Sequence, residues 1–395
     1  MKILILTNYF TPDFSAGSFR MQALLDAALR HDDPDIQIDI YTTFPNRYGA
    51  GTEDLVQLEI QKNVKIHRTR IPSHQGQMFL QSLAYIVFFV RVLIYTKRGD
   101  YDLVFATSSR LFTAFLGALI ARRNSAVLFL DIRDLFTDTL NELFPSLVKL
   151  LLLPPLKFIE KWTLGSADAI NVVSPGFVRH VKLLAKTPHI SVITNGIDED
   201  FLMYRPKIKR PSGAKTKILY AGNIGDGQGL ENIIPKAAKR LEEFVSFKII
   251  GAGGRGRELD LALLEANCSN VEFIGPIERR KLIAEYDDAD ILFLHLNDYT
   301  AFEKVLPSKI FEYASTGKPI VAGVSGYAKK LLETEVVGSF VFQPNDVDAF
   351  IEIVNSLKST AAEYDRTEFK VRYARVELMD ELFKAIINIE KINDI

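Results

Sequence analysis

Lys215-Thr-Lys-Ile-Leu-Tyr-Ala-Gly222-Asn-Ile-Gly225-Asp-Gly227-Gln-Gly229 decides the fold, because it restarts a strand, turn and helix series midway along a chain of 395 residues. Thr216–Gly222 is a nearly continuous apolar run, the pattern of a strand covered on both faces. Four glycines, counting Gly222 that ends the run, precede a helix that opens at Leu230. Upstream, residues 197–215 include Arg205-Pro-Lys-Ile-Lys-Arg-Pro-Ser-Gly-Ala-Lys, a polar stretch punctuated by Pro and Gly, which is a linker composition. The expected domains are therefore 1–198 and 199–374. The last stretch, Glu368–Ile389, has helical periodicity with no strand after it, so a helix over about 375–395 is expected to dock back on the first domain.

The same pattern recurs on both sides of that break. Before it, strands are expected at Lys2–Thr7, Ile36–Thr43, Val64–Ile71, Tyr101–Thr107, Ala126–Ile132, Ala169–Ser174 and Ile190–Asn195. After it they are expected at Thr216–Gly222, Phe247–Gly251, Val271–Gly275, Ile291–Leu296, Pro319–Ala322 and Ser339–Phe342. Helix-length segments separate nearly all of them, as parallel doubly wound sheets require. Two such series in one chain imply an α/β protein of two Rossmann-like domains.

Composition narrows the function. With 48% hydrophobic and 25% charged residues the chain is neither disordered nor fibrous. A net charge of −1 argues against a polycation that binds nucleic acid. The single cysteine, Cys268, makes no internal disulfide and no thiolate cluster. Met1-Lys-Ile-Leu-Ile-Leu reads as a core strand rather than a targeting segment, since no small-residue cleavage site follows. A cytoplasmic protein is expected, with one qualification. Phe79–Tyr95 and Leu147–Trp162 are strongly apolar but short or charge-interrupted for a span, which needs about 20 apolar residues. Residues 61–130 carry ten Lys/Arg against Asp100 and Asp102, an excess of +8. Basic charge beside apolar helix suits peripheral contact with an anionic membrane; buried helices with ordinary solvated charges are the alternative.

Ligands of doubly wound sheets bind beyond the carboxyl ends of the strands. In the first domain this singles out Gly17, where backbone can approach a ligand, and Arg20, one turn into the helix and able to face an anion. The loop Thr43-Phe-Pro-Asn-Arg-Tyr would face the same end, as would Asp131-Ile-Arg133-Asp134, whose two carboxylates and Arg are more than packing alone needs. In the second domain the glycine-rich turn from Gly222 makes a phosphate cradle. Later, Lys304-Val-Leu306-Pro307-Ser308-Lys309-Ile-Phe-Glu312 opens a helix whose first turn would hold Ser308, Lys309 and Glu312. Lys309 and backbone amides could meet phosphate oxygens, and Glu312 could accept from a ribose diol. Three other signals are weaker. Gly251-Ala-Gly253-Gly-Arg-Gly256 matches a dinucleotide fingerprint but is not on its domain's opening strand. Asp288-Ala-Asp290 precedes a buried strand, where helix-end charges are ordinary. The six histidines show no ligand spacing.

Taken together, several segments resemble the family-four glycosyltransferases of the GT-B fold. These are Lys2-Ile-Leu-Ile-Leu-Thr-Asn with Pro12, Gly17 and Arg20; Val173-Ser-Pro-Gly-Phe; Thr194-Asn-Gly-Ile-Asp198; and Leu219-Tyr-Ala-Gly-Asn. Gly251-Ala-Gly253, Val271-Glu-Phe-Ile-Gly275 and Pro307-Ser-Lys-Ile-Phe-Glu-Tyr-Ala-Ser-Thr-Gly317 complete the set, which runs over essentially the whole chain. The chain looks most like the bacterial branch that adds N-acetylated amino sugars to lipid-linked O-antigen or capsule precursors. The resemblance implies two domains facing across a cleft, the first for the acceptor and the second for a nucleotide-sugar, expected to be a UDP-sugar, with no other cofactor. Glu312 would hold the ribose hydroxyls, and Gly222, Gly251, Gly253, Leu306, Pro307 and Ser308 would line the donor. The family's earlier acid falls on Lys304, with Glu303 one place off, and its diphosphate Arg and Lys fall on Asn223 and Gln228. Lys309, Lys304 or Arg20 would supply the missing charge. Transfer would retain the anomeric configuration without a divalent metal. Gly17 would let backbone approach the leaving phosphate, and Asp131 or Asp134 would position a polyprenyl-linked or glycan acceptor. A UDP-amino-sugar epimerase of the same architecture and a non-catalytic sugar-nucleotide-binding subunit stay open as alternatives.

Overall fold

The carboxyl ends of two parallel sheets supply the positions from which any site here is built. The computed structural model describes the chain apart from residues 14, 46–54, 73–77, 109–110, 188, 205–214, 358–362 and 390–395. Asn46, Arg47, Tyr48, Arg110 and most of the expected linker lie outside the described residues. The chain divides into two units, Met1–Asn195 with Arg375–Ile395 and Gly196–Ala374.

Among the described residues the first unit holds eight strands: β1 (Lys2–Leu6), β2 (Gln37–Thr43), β3 (Leu58–Gln61), β4 (Val64–Thr69), β5 (Leu103–Ser108), β6 (Val127–Ile132), β7 (Ala169–Val172) and β8 (Ile190–Val192). Their order is β3-β4-β2-β1-β5-β6-β7-β8. All pairs are parallel except β3 with β4. β5 is buried along its whole length, as its unbroken Leu103-Val-Phe-Ala run predicts. Strand β3 was not expected. Its Leu-Glu-Ile-Gln is mostly exposed and lies at a sheet edge, so burial left no apolar run to read.

The helix Arg375–Ile387 belongs to this first unit. Its Met379, Leu382, Phe383 and Ile386 complete the core formed by Ile3, Ile5, Leu24, Leu25 and Phe105. Burying four such side chains contributes roughly 1.5–3 kcal/mol each, which explains why the chain returns here. Arg30 pairs with Asp380 at 2.6 Å on the rim of the contact.

The second unit holds β9 (Thr216–Asn223), β10 (Val245–Ala252), β11 (Val271–Ile274), β12 (Ile291–His295), β13 (Ile320–Gly323) and β14 (Ser339–Phe342), in the order β11-β10-β9-β12-β13-β14, all parallel. Each sheet thus has its opening strand, β1 or β9, at the point where strand order reverses, the place where a crevice forms beyond the strand ends. The division falls at Gly196 rather than after Asp198. Ile197 donates to Tyr373 O at 2.7 Å and Asp198 pairs with Arg279, so both belong to the second unit.

Candidate functional site

In the second unit the helix Ser308–Ala314 brings Glu312 and Lys309 onto one face, three residues apart. Glu312 Oε1 accepts from the Tyr286 hydroxyl at 2.9 Å, and Oε2 accepts from Lys309 Nζ at 2.7 Å. Lys309 Nζ also donates to the Tyr286 hydroxyl at 3.2 Å. Burial raises the Tyr286 hydroxyl well above its ordinary value, so it stays protonated and donating. The carboxylate is about one-fifth exposed and keeps lone pairs for further donors. Tyr313, the next residue, hydrogen-bonds the backbone of Ala221 in β9 and so fixes the helix to the strand that opens the glycine-rich turn.

That turn is drawn tight. Gln228 and Gly229 both donate their N–H to Gly225 O, at 3.0 and 3.3 Å. Asn223 Nδ2 and Gly225 N both reach Gln228 Oε1, at 2.8 and 3.1 Å. Gly229, in the left-handed region at φ +55°, precedes the helix Leu230–Arg240 without a side-chain cap. The first helical N–H groups there have no capping side chain, a favourable setting for an anion. Lys304 ends the short segment Thr300–Lys304 and is half-buried.

In the first unit the carboxyl end of β6 carries Asp131, Arg133 and Asp134. Asp131 takes a fork from Arg20, Nε at 3.0 Å and Nη2 at 2.9 Å. It also accepts from Asn171 Nδ2 at 2.7 Å and Thr107 Oγ1 at 3.3 Å. Arg20 completes its donors on the carbonyls of Thr194 and Ile193. Both side chains have no exposed surface. Arg133 behaves differently. Its guanidinium fills the space beside Gly17, where a Cβ would sit 2.4 Å from Nη1, and its Nε has no hydrogen-bond partner among the described residues. Burial pulls its pKa down to about 10, which still leaves it charged at neutral pH. Burial also pushes the half-buried Asp134 up to about 6, against a weak hydrogen bond from Thr139.

Sequence comparison decides the family. Residues 22–196 match the glycosyl transferase 4-like domain, and residues 205–371 match the glycosyl transferases group 1 domain. The chain belongs to the group 1, GT4-type glycosyltransferases. The putative colanic acid biosynthesis glycosyl transferase WcaI of Escherichia coli (strain K12) is 29% identical over 197 residues. That alignment covers 49% of this chain and 45% of WcaI, so the match spans about half of the curated relative's length. Anabaena HepE, solved with UDP and glucose, superposes with a TM-score of 0.70 at 17% identity, over 98% of this chain and 99% of that one. Sucrose-phosphate synthase of Thermosynechococcus elongatus gives 0.70 at 15% identity, over 99% and 96%. The fold is GT-B.

Within this GT4-type frame several expected site residues change role. Arg20 and Asp131 are sealed against each other, because two charges taken out of water need all their hydrogen bonds met. They staple the helix Ala16–His31 to the ends of β6, β7 and β8. Gly17 makes room for Arg133. Gly251 and Gly253 are seated on the preceding turn, where a Cβ would lie 1.9 Å from Gly222 O and 2.1 Å from Ile224 O. The Leu306 side chain is buried in the core and leaves only its backbone beside Pro307 and Ser308. Asn223 and Gln228 bond each other, and Lys309 spends its charge on Glu312. Asp288 and Asp290 both hold Lys217. The residue that sequence reasoning did not single out is Tyr286; Arg133 was read only together with Asp131 and Asp134. The spacing of Lys309 and Glu312 at i, i+3 was a readable signal for their ion pair; Tyr286 gave none.

Proposed function

We propose that the chain is a glycosyltransferase that moves a sugar from a UDP-sugar to a polyprenyl-linked or glycan acceptor in bacterial surface polysaccharide assembly. The single observation that carries this reading is Glu312, a partly exposed carboxylate held by Tyr286 and Lys309 beside the glycine-rich turn. Such a carboxylate can accept from both hydroxyls of a ribose, while the turn and the uncapped helix after it take the diphosphate. The likeness to WcaI supports the polysaccharide setting, and the UDP in HepE supports the donor. An N-acetylated amino sugar is the proposed group transferred.

Transfer proceeds with retention and without a divalent metal, the departing diphosphate being stabilised by helix N–H groups and by cations. Lys304 is a candidate cation in the second unit. In the first unit Arg133 replaces Arg20 as the residue able to meet an anion. Asp134, with a pKa of about 6, is the acid suited to exchange a proton with an acceptor hydroxyl.

The acceptor's lipid is supported by two exposed stripes on the first unit. Leu83, Ile86, Val90 and Ile94 repeat at helical spacing along Met78–Tyr95, and Leu147, Leu150, Leu151 and Phe158 along Ser146–Gly165. Both helices pack on Leu111–Asn124, through Phe89 stacked on Phe115 and Phe115 edge-on to Trp162. Arg122, Lys157 and Lys161 are exposed on these same elements, and Lys97 and Arg98 are exposed on the turn Thr96–Arg98 that follows the first of them. The basic excess is smaller than the sequence suggests, since Lys62 pairs with Asp32, Arg68 with Glu59, and Arg123 caps carbonyls of Leu93 and Thr96. Among the described residues no helix is long and apolar enough to cross a membrane. We therefore place the first unit on an anionic bilayer surface rather than through it.

The mutual closure of Asn223 and Gln228 favours a second reading, a subunit that binds sugar nucleotide without turning it over. The test is incubation with labelled UDP-N-acetyl amino sugars and a polyprenyl-diphosphate-linked saccharide in EDTA. Formation of a lipid-linked product with the donor's anomeric configuration is expected. Donor bound but never consumed selects the binding subunit, and donor converted without acceptor selects an epimerase.

A further inference from the structure

Three successive carbonyls of the glycine-rich turn are held from behind by Asn297 and His295, two through side chains and one through backbone, and no part of the foregoing chemistry uses these residues. Asn297 Nδ2 donates to Asp226 O at 3.1 Å, and Asn297 N donates to Gly227 O at 2.8 Å. His295 Nδ1 lies 2.6 Å from Gln228 O. The other ring nitrogen, Nε2, lies 3.0 Å from the backbone N of Asn345. A backbone N–H can only donate and a carbonyl can only accept, so the ring is neutral with its proton on Nδ1. Complete burial agrees, holding His295 down at about 4. Asn345 closes the set by donating Nδ2 to Asn297 Oδ1 at 2.9 Å.

The arrangement has a geometric consequence. In a planar trans peptide the C=O of one residue and the N–H of the next point in opposite directions. Fixing the carbonyls of Asp226, Gly227 and Gln228 against the end of β12 therefore turns the N–H groups of Gly227, Gln228 and Gly229 away from it. Two of these close the turn on Gly225, and the Gly227 N–H is aimed outward. Gly229 is needed for the same contact, since a Cβ there would lie 2.8 Å from Asn297 Cγ.

We propose that His295, Asn297 and Asn345 are positioning residues that preset the glycine-rich turn to receive a nucleoside diphosphate. This rests on the reading that the turn meets the donor's phosphates. It assigns the network to the diphosphate and leaves the ribose to Glu312, so the two parts of one ligand separate them.

The experiment is calorimetric titration of the full chain with UDP and with uridine, for wild type, His295→Phe, His295→Gln and Asn297→Ala. His295→Phe keeps a ring in the pocket and loses both hydrogen bonds. It is expected to lower UDP affinity about tenfold, the effect of losing one well-aligned charged hydrogen bond, while uridine affinity stays level. His295→Gln, which can donate and accept, is expected to recover part of the loss. A folded His295→Phe with an unchanged ratio of UDP to uridine affinity overturns the proposal, as does an equal loss for both ligands. Should His295→Phe not fold, Asn297→Ala, which removes the bond to Asp226 O and the Oδ1 acceptor of Asn345 but keeps the backbone bond to Gly227 O, decides by the same ratio. Wild type that binds neither ligand removes the donor reading and this proposal with it.

Discussion

The two units offer the same scaffold and treat its charged residues in opposite ways. At the carboxyl end of the first sheet, Arg20 and Asp131 meet in a buried fork in which each nitrogen of the guanidinium and each carboxylate oxygen has a hydrogen-bond partner. At the carboxyl end of the second, Lys309 and Glu312 meet on a short helix with a fifth to a quarter of each side chain exposed. Position at a strand end is the same for both pairs; access to solvent is not. A buried pair is part of the frame, while a partly exposed pair can still exchange a partner for a ligand. In the first unit that capacity passes to the neighbours Arg133 and Asp134.

Breaking the buried pair produces the largest effect. Arg20→Ala or Asp131→Ala should cost about 3–5 kcal/mol of stability in urea unfolding, because each leaves a desolvated charge unpaired. The double replacement Arg20→Met with Asp131→Leu should cost much less. UDP affinity of the folded protein should not change in any of them. Unchanged stability with lost sugar transfer would instead put the pair at the reacting centre.

Asp134 sharpens the contrast through pH. Its folded pKa of about 6 lies above the ordinary 3.8 of an unfolded aspartate. Between these values the folded protein holds a proton that the unfolded chain has released. Stability from this group is therefore full below about 4 and is lost as pH rises through 6. Transfer that needs the carboxylate rises over the same window. Asp134→Asn should flatten both limbs, measured by unfolding and by initial rates from pH 4.5 to 7.5. A rate limb near 6 that survives in Asp134→Asn would assign the proton to another group.

The smallest effect on the fold is expected at the apolar stripes. Leu150→Glu with Phe158→Glu sits on exposed positions, so stability should move by no more than about 0.5 kcal/mol. Sedimentation with anionic vesicles at low salt should nevertheless drop sharply. Binding that persists would return these side chains to ordinary exposed surface.

What the sequence disclosed follows from what each interaction leaves in local pattern. The parallel sheets were legible because strands buried on both faces must be apolar without a break, as in Leu103-Val-Phe-Ala and Ile291-Leu-Phe-Leu. Strand β3 was not, since an exposed edge strand needs no apolar run. Glu312 was legible from its place in a helix start after Pro307. The sealing of Arg20 was not, because Asp131 lies 111 residues away and nothing in either neighbourhood marks the partner. The glycines at 251 and 253 were read as ligand-facing, yet glycine also marks where two backbones touch, and here the second backbone is the chain's own. The neutral tautomer of His295 depends on Gln228 and Asn345 together, and neither is visible from Leu294-His-Leu.

The central claim is that Glu312 in the second unit holds the ribose of a uridine nucleotide. Isothermal titration of UDP into wild type and Glu312→Ala tests it most directly. The expected result is binding by wild type and a loss of about 2–3 kcal/mol in the variant, the scale of hydrogen bonds to a charged group, with the thermal unfolding of the free protein little changed. Equal UDP affinity in the two proteins would contradict it and remove Glu312 from the site.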